Sequence, residues 1–437
     1  MAVNARFRAN LTSPIHRLPN ELIAHIFVMG CPAPNHKLEG IDTAPFRYQV
    51  LVGSICRLWR ETAHQCPSLW TSVAAFYPAR SRGGKKLAFY EEMMAEILGR
   101  SGTLELDLSL RISWFSVLGD YDHVIPHFQR VHTLHVKFER SMDFPLSTHT
   151  PAFTNLRHLY AKGYDCGTAG SLPSFGENFP LESLYYETDR PLNVSTLPTS
   201  RLRYCHIFLG HVSQQTIQLI NKCSDLRVLE LWGDTWDPDT LISSSTLTHV
   251  DLHVWGELPF RGPVAQGLPN LLHLRLEVDD AFELPIHPLS WTPLPSLRSL
   301  SIRFGRDGLP DESYGAHLVE ILRGAPRLVA LQIDEIDAPE VIEFISTHWE
   351  EEIGDGLRRK PLRLLILMIQ SQEAETTWGD LPHIAPLLYS WDHDAQDEWC
   401  LKRCINPIKI GGGEVRREDY DAAFQTPLSV LADQIAD

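Results

Sequence analysis

The sequence has no apolar run near the roughly 20 residues that a membrane-crossing helix needs; the longest, LLILMI, spans only Leu364 to Ile369. Its first ten residues, MAVNARFRAN, lack the apolar centre of a secretory signal. Cysteine is sparse, eight in 437 residues, too thin for a disulfide framework. Free thiols in a reducing compartment, cytoplasmic or nuclear, are the expectation. Low-complexity tracts are absent, and 30 prolines and 27 glycines cut the chain into short pieces. Positive charge is also short, with 39 Lys and Arg against 55 Asp and Glu. The deficit is uneven, because the first hundred residues carry a basic excess while the remainder is strongly acidic. An acidic body repels phosphate backbones, which argues against nucleic acid as its partner. The charge step marks the first hundred residues as a separate unit with a different partner.

Catalytic patterns are missing as well. SRGGKK is not a phosphate loop, since Ala79 stands where the first glycine belongs and Lys86 where a Ser or Thr would hold magnesium. GGGE at 411–414 lacks the flanking strand and helix. His393, Cys400 and Cys404 have no convincing fourth partner for zinc, and the two cysteines sit one helical turn apart, as in ordinary packing. Among His123, His127, His132 and His135 the first pair has metal-like spacing, but Pro126 between them opposes a helix. Glu350, Glu351 and Glu352 read as a solvated face. No Gly-x-Ser-x-Gly elbow or His-Glu-x-x-His helix occurs. The chain reads as a non-enzyme without metal or cofactor.

Near the start, SPIHRLPNELIAHIFVMG places Leu18, Leu22, Ile23, Ile26 and Phe27 on one helical stripe. Pro19 suits the first turn and Glu21 the positive end of the dipole. A proline-bearing loop from Gly30 to Gln49 is expected next. In VLVGSICRLWRETAHQCPSLWTSV a second stripe joins Ile55, Leu58, Trp59, Thr62, Ala63 and Cys66, ended by Pro67, with Leu69-Trp70 as an apolar plug. Helices this short must bury their faces against one another.

LPNELIAHIF followed by ICRLWRETAHQCPSLW resembles an F-box in its fungal variant, over roughly residues 13 to 75. The resemblance rests on Leu18, Pro19, Glu21, Leu22, Ile26 and Phe27, then Ile55, Cys56, Arg57, Trp59, Arg60, Pro67, Leu69 and Trp70. It implies docking onto a Skp-type adaptor and through it a cullin. The residues expected to do so are Leu18, Pro19, Leu22, Ile23, Ile26, Trp59 and Trp70, some of which must instead hold the helices together.

Further on, the phrase L-x-x-L-x-L recurs. It reads VHTLHV (131), LRHLYA (156), LESLYY (181), LRYCHI (202), LRVLEL (226), LTHVDL (247), LLHLRL (271), LRSLSI (297), LVALQI (328) and LRLLIL (362), and TLELDLSL (103–110) starts the series. Steps of 21 to 34 residues fit a leucine-rich-repeat solenoid, each phrase a strand whose alternate residues enter a common core. Helical returns are expected at SQQTIQLINKCSDL, with Ile217, Ile220 and Cys223 on one side, and at HLVEILRGAPRL, with Leu318, Ile321 and Leu322. KLAFYEEMMAEILGRSG should be a connecting helix with Leu87, Met94, Ile97 and Leu98 inward.

The expected fold class is α/β (α+β), a small helical domain followed by a curved solenoid with parallel strands on its concave face. The expected domains are a disordered stretch at 1–12, an F-box-like unit at 13–77, a linker and helix at 78–102, repeats at 103–377 and a cap at 378–437. Alternation predicts that His135, Tyr160, Tyr185, His206, Glu230, Asp251, Arg275, Ser301 and Gln332 face outward, flanked by Phe208, Trp232 and His253. Aromatics there either anchor a protein substrate or pack along the strand ladder. By resemblance the chain is a monomeric substrate receptor of an SCF-type ubiquitin ligase, contributing proximity and no catalytic residue. The other reading is a repeat scaffold whose helical cap binds no adaptor.

Overall fold

The computed structural model describes residues 14–32, 44–76, 85–112, 123–139, 152–164, 179–187, 199–237, 242–254, 268–278, 294–304, 314–328, 330–334, 352–353, 357–358, 364–369 and 389–390. The chain divides into two compact units, residues 1–198 and 199–437.

The first unit opens with helix α1 (Asn20–Gly30), entered directly from Pro19, whose carbonyl accepts from the N–H of Leu22 and Ile23. Ile23 and Phe27 are completely buried, and Phe27 meets the ring of Trp59 at 4.9 Å. Helix α2 (Ala44–Ile55) starts earlier than the expected loop allows, because Pro45 lies in a first turn that needs no N–H there. The second stripe is also interrupted. Ile55 ends α2 half-exposed, Cys56 caps helix α3 (Arg57–His64) by accepting from the Trp59 N–H, and only Thr62, Ala63 and Cys66 of the stripe are buried. Trp70, in a short 3-10 turn over Pro67–Trp70, donates its indole N–H to the Ala63 carbonyl at 2.7 Å. Gln49, fully buried, donates to the carbonyls of Leu69 and Ser72 at 2.8 and 3.0 Å, tying α2 to the chain that leaves the helices.

That chain becomes strand β1 (Ser72–Phe76), which pairs in parallel with β2 (Leu106–Ile112). The ladder therefore begins at Ser72, inside the segment read as helical, because buried Val73 and Ala75 already supply strand alternation. Helix α4 (Lys85–Arg100) returns the chain between β1 and β2 with Met94, Ile97 and Leu98 buried as the spacing predicts. It ends at Gly102, whose φ of 61° is the left-handed conformation that glycine takes without strain. Strands β3 (Val131–Glu139), β4 (His158–Tyr164) and β5 (Ser183–Glu187) continue the parallel ladder in chain order.

The second unit repeats the arrangement. Strands β6 (Tyr204–Val212), β7 (Val228–Trp236), β8 (His249–Val254), β9 (His273–Val278), β10 (Ser299–Phe304) and β11 (Ala330–Asp334) pair in parallel, each with the next. Helices α5 (Gln214–Asn221) and α6 (Tyr314–Gly324) occupy two return legs and bury Ile217, Ile220, Leu318, Ile321 and Leu322. A small antiparallel pair, β12 (Glu352–Ile353) and β13 (Leu357–Arg358), precedes β14 (Leu364–Ile369), which pairs with β11 and then with β15 (Tyr389–Ser390). Each unit is thus a parallel-strand repeat solenoid, and every recurrence of the phrase contains a strand. Nearly all of the expected cap at 378–437, and the expected disordered stretch at 1–12, lie outside the described residues.

Leucines of the phrase stack from turn to turn: Leu229, Leu231, Val250, Leu252, Leu274, Leu276, Leu300 and Ile302 are all at most 4% exposed. Burying each contributes about 1.5–3 kcal/mol before the entropy of ordering the chain is counted. A backbone relay enters each strand, with N–H groups of Arg227, Thr248, Leu272 and Arg298 donating to the carbonyls of Arg203, Arg227, Thr248 and Leu272 at 2.8–2.9 Å. Among the described residues no helix is long and apolar enough to cross a membrane.

Candidate functional site

Two surfaces carry the residues singled out from the sequence. The first is on the helices. Leu22, Ile26 and Met29 recur at one face of α1 and are 43–74% exposed, and Val50, Leu51 and Ile55 on α2 are each at least half-exposed. Pro19 is exposed and Leu18 half-buried. The remaining expected contacts behave otherwise. Ile23 and Trp70 lie inside the helical core, and half-buried Trp59 packs on Phe27, so these three hold the helices together. A helix that packed only against its own neighbours would leave polar groups on its free side; here Leu22, Ile26 and Met29 share that side with His25 and Glu21.

The second surface is the side of the strands opposite the leucines. In the first unit His135 stacks on Tyr160 at 4.5 Å and Tyr160 on Tyr185 at 6.1 Å, while the Tyr185 hydroxyl donates to Glu187 at 2.6 Å. Lys162 pairs with Glu187 at 2.6 Å. Burial pushes the Tyr160 hydroxyl up from its ordinary pKa. These rings therefore pack along the ladder, one of the two expectations for them.

In the second unit the outward residues come together most densely. Register places His206, Glu230, Asp251 and Arg275 side by side on β6 to β9, with Ser301 and Gln332 continuing the row on β10 and β11. Phe208, Trp232, His253 and Glu277 form the row two residues further along. Adjacent strands are about 4.8 Å apart, so consecutive side chains in each row touch. His206 Nδ1 lies 2.7 Å from Glu230 Oε2, both side chains only 4% exposed. A carboxylate accepts, so the imidazole Nδ1 carries the proton. Arg275 reaches Glu277 at 3.0 Å and, less closely, Asp251 at 3.8 Å. Trp232 sits 4.8 Å from His253, 5.6 Å from His206 and 6.3 Å from Phe208.

Electrostatically this patch is unbalanced. Burial, assisted by Glu230 and Glu277 and opposed by Arg275, lifts the Asp251 carboxyl to about 7. Glu230 Oε1 and the Trp232 indole N–H are buried with no hydrogen-bond partner among the described residues. Nearby, His249 and His273 stack at 4.3 Å, and burial together with the neighbouring imidazole lowers His249 to about 4. Such an arrangement can hold positive charge and an aliphatic stem. Glu277 was missed in the sequence; it lies two residues beyond Arg275 on the same face, so the period of two could have found it.

His127, His132 and His135 are held by packing contacts. Arg130 faces His127 Nδ1 at 3.0 Å and reaches the carbonyl of Gly102 and the Ser101 hydroxyl, closing the C-terminal end of α4. Burial and Arg130 push the His127 pKa down. Burial likewise pushes the thiols of Cys205 and Cys223 up, which makes them packing groups and poor nucleophiles. Among the described residues no group of three or more His, Cys, Asp or Glu could hold a metal ion. His393, Cys400, Cys404 and the GGGE turn lie outside the described residues, as do Glu350 and Glu351. Compared with family models and with curated proteins, the chain matches none.

Proposed function

We propose that the protein is the substrate-receptor subunit of an SCF-type ubiquitin ligase, with an F-box at its helices and leucine-rich repeats as its solenoid. The observation that carries the reading is the trio of exposed apolar residues on one face of α1, Leu22, Ile26 and Met29, directly after the Leu18-Pro19 pair of the F-box resemblance. Exposed apolar groups at helical spacing suit a helical partner such as a Skp-type adaptor, and through it a cullin. Val50, Leu51 and Ile55 on α2 add apolar area of the same kind. The solenoid then offers its outward rows to a protein substrate, and catalysis belongs to other subunits.

Co-purification of the full chain with a Skp-type adaptor tests this. A one-to-one complex is expected, lost in a Leu22→Asp, Ile26→Asp variant that keeps its helical content. The absence of a complex from well-folded wild-type chain refutes the adaptor role and leaves a repeat scaffold, the second reading, supported only by the outward rows themselves.

A further inference from the structure

We infer that the outward face of the second unit holds a lysine ammonium of a partner polypeptide between Glu230 and Asp251, with Phe208 and Trp232 along its aliphatic stem. The inference rests on reading this face as the substrate-holding surface, but not on adaptor binding. Among the described side chains the carboxylates of Glu230, Asp251 and Glu277 outnumber the guanidinium of Arg275, which is already engaged, while Arg303 is the register partner of Glu277 on β10. Arg275 engages Glu277 at 3.0 Å and reaches Asp251 only at 3.8 Å. On the other flank His206 occupies just one oxygen of Glu230.

The second oxygen is the telling atom. The Glu230 side chain is 4% exposed, yet Oε1 has no donor among the described residues. A buried carboxylate oxygen is normally hydrogen-bonded, because leaving it unmet forfeits its hydration without replacement. Oε2 is held toward β6, and the neighbouring residue on the other side is Asp251. An ammonium placed between them meets two acceptors from adjacent strands and keeps a third donor for another contact. A second guanidinium fits less well, since its planar fork calls for paired oxygens such as those Arg275 already draws on.

Aromatic rings supply the rest of the recognition. Phe208 and Trp232 lie in the row next to the carboxylates, both half-buried, so the exposed part of each ring suits a methylene chain and the charge at its end. Among the described residues no hydrogen bond holds the Trp232 indole N–H, so an alkyl chain laid against the ring breaks none there.

The test is fluorescence anisotropy of the full chain with a fluorescein-labelled peptide, Gly-Ser-Lys repeated three times, at low salt. Saturable binding is expected, and acetylation of the lysines should abolish it. Replacing lysine by arginine should weaken it. Glu230→Gln and Asp251→Asn should each weaken binding about tenfold or more, since each removes one charge-assisted acceptor. Glu105→Gln, an exposed acid in the other unit, should change nothing. Arg275→Gln, which releases two carboxylates from their internal cation, should tighten binding. Each variant is first shown to melt cooperatively, and the Asp251 variant carries the test if Glu230→Gln does not fold. The inference is overturned by no binding to wild type at millimolar peptide, by equal binding of acetylated peptide, by equal losses in Glu105→Gln, or by tighter binding of free spermidine than of the peptide. Adaptor co-purification on the same preparations separates this failure from failure of the ligase reading.

Discussion

Replacing Asp251 by asparagine should stabilise the protein, and the gain should appear only above a defined pH. The carboxyl is held among β7 to β9 by burial, beside Glu230 and Glu277, with Arg275 opposing them; His249 and His253 flank it on the same face of β8. Its pKa rises from 3.8 to about 7. A raised carboxyl binds its proton more tightly folded than unfolded. Its cost is therefore absent below the unfolded value, grows as pH climbs between the two, and is complete above about 7. At 1.36 kcal/mol for each pH unit, a rise of about three units sets a ceiling on the order of 4 kcal/mol. Relaxation of the patch brings the expected gain nearer ~2 kcal/mol. Asparagine keeps the shape, and Arg275 keeps its closer partner Glu277, so no cation is orphaned. The assay is urea unfolding of both proteins at pH 5, 6, 7 and 8. The stability difference should be about a third of its full size at pH 5 and grow to a plateau near pH 8. A difference that is flat across this range, or an asparagine variant less stable at pH 8, refutes the reasoning.

Other expectations need single substitutions. Gly102→Ala should cost about 1 kcal/mol by placing a Cβ at φ 61°, and nothing else, since no atom lies within 4 Å of the added carbon; a loss above ~2 kcal/mol in thermal unfolding contradicts this. Gln49→Leu should cost roughly 2–3 kcal/mol, because the buried carbonyl of Leu69 and the part-buried one of Ser72 lose this donor; an unchanged melting temperature refutes that role. Ile23→Ala should cost about 2–4 kcal/mol, whereas Ile26→Ala, three residues away on the exposed face, should stay within about 0.5 kcal/mol. Equal losses by calorimetry would show that the α1 face is already covered. Acidification from pH 6.5 toward 4 should weaken the β8–β9 pair, because the depressed His249 must be protonated against His273; hydrogen exchange at β8 that is insensitive to pH across this window argues otherwise.

The recurrence of L-x-x-L-x-L determined a great deal on its own. Period two puts one set of side chains in a core that no single turn can bury alone, so the strands must stack, and within each unit they do, β2 to β5 in the first and β6 to β11 with β14 in the second. The buried faces of α1, α4, α5 and α6 were legible for the same reason, at a period of 3.6. What sequence left open is where one periodicity yields to another. Helix α2 starts inside an expected loop at Ala44, the stripe through Ile55 breaks at Cys56, and β1 joins the ladder before the series of phrases begins, since short segments with mixed apolar and polar residues fit more than one pattern until neighbours choose.

The site divides in the same way. That His206, Glu230, Asp251 and Arg275 share a face follows from alternation within each strand, a local property. That they stand next to one another depends on the register between strands separated by 21 to 24 residues, set by how each return leg packs. Only the tertiary structure buries Glu230 and Asp251, leaves one carboxylate oxygen unmet, and separates core Ile23 and Trp70 from surface Leu22 and Ile26. Periodicity names the side a residue faces; burial and charge pairing belong to whatever the rest of the chain brings to that side.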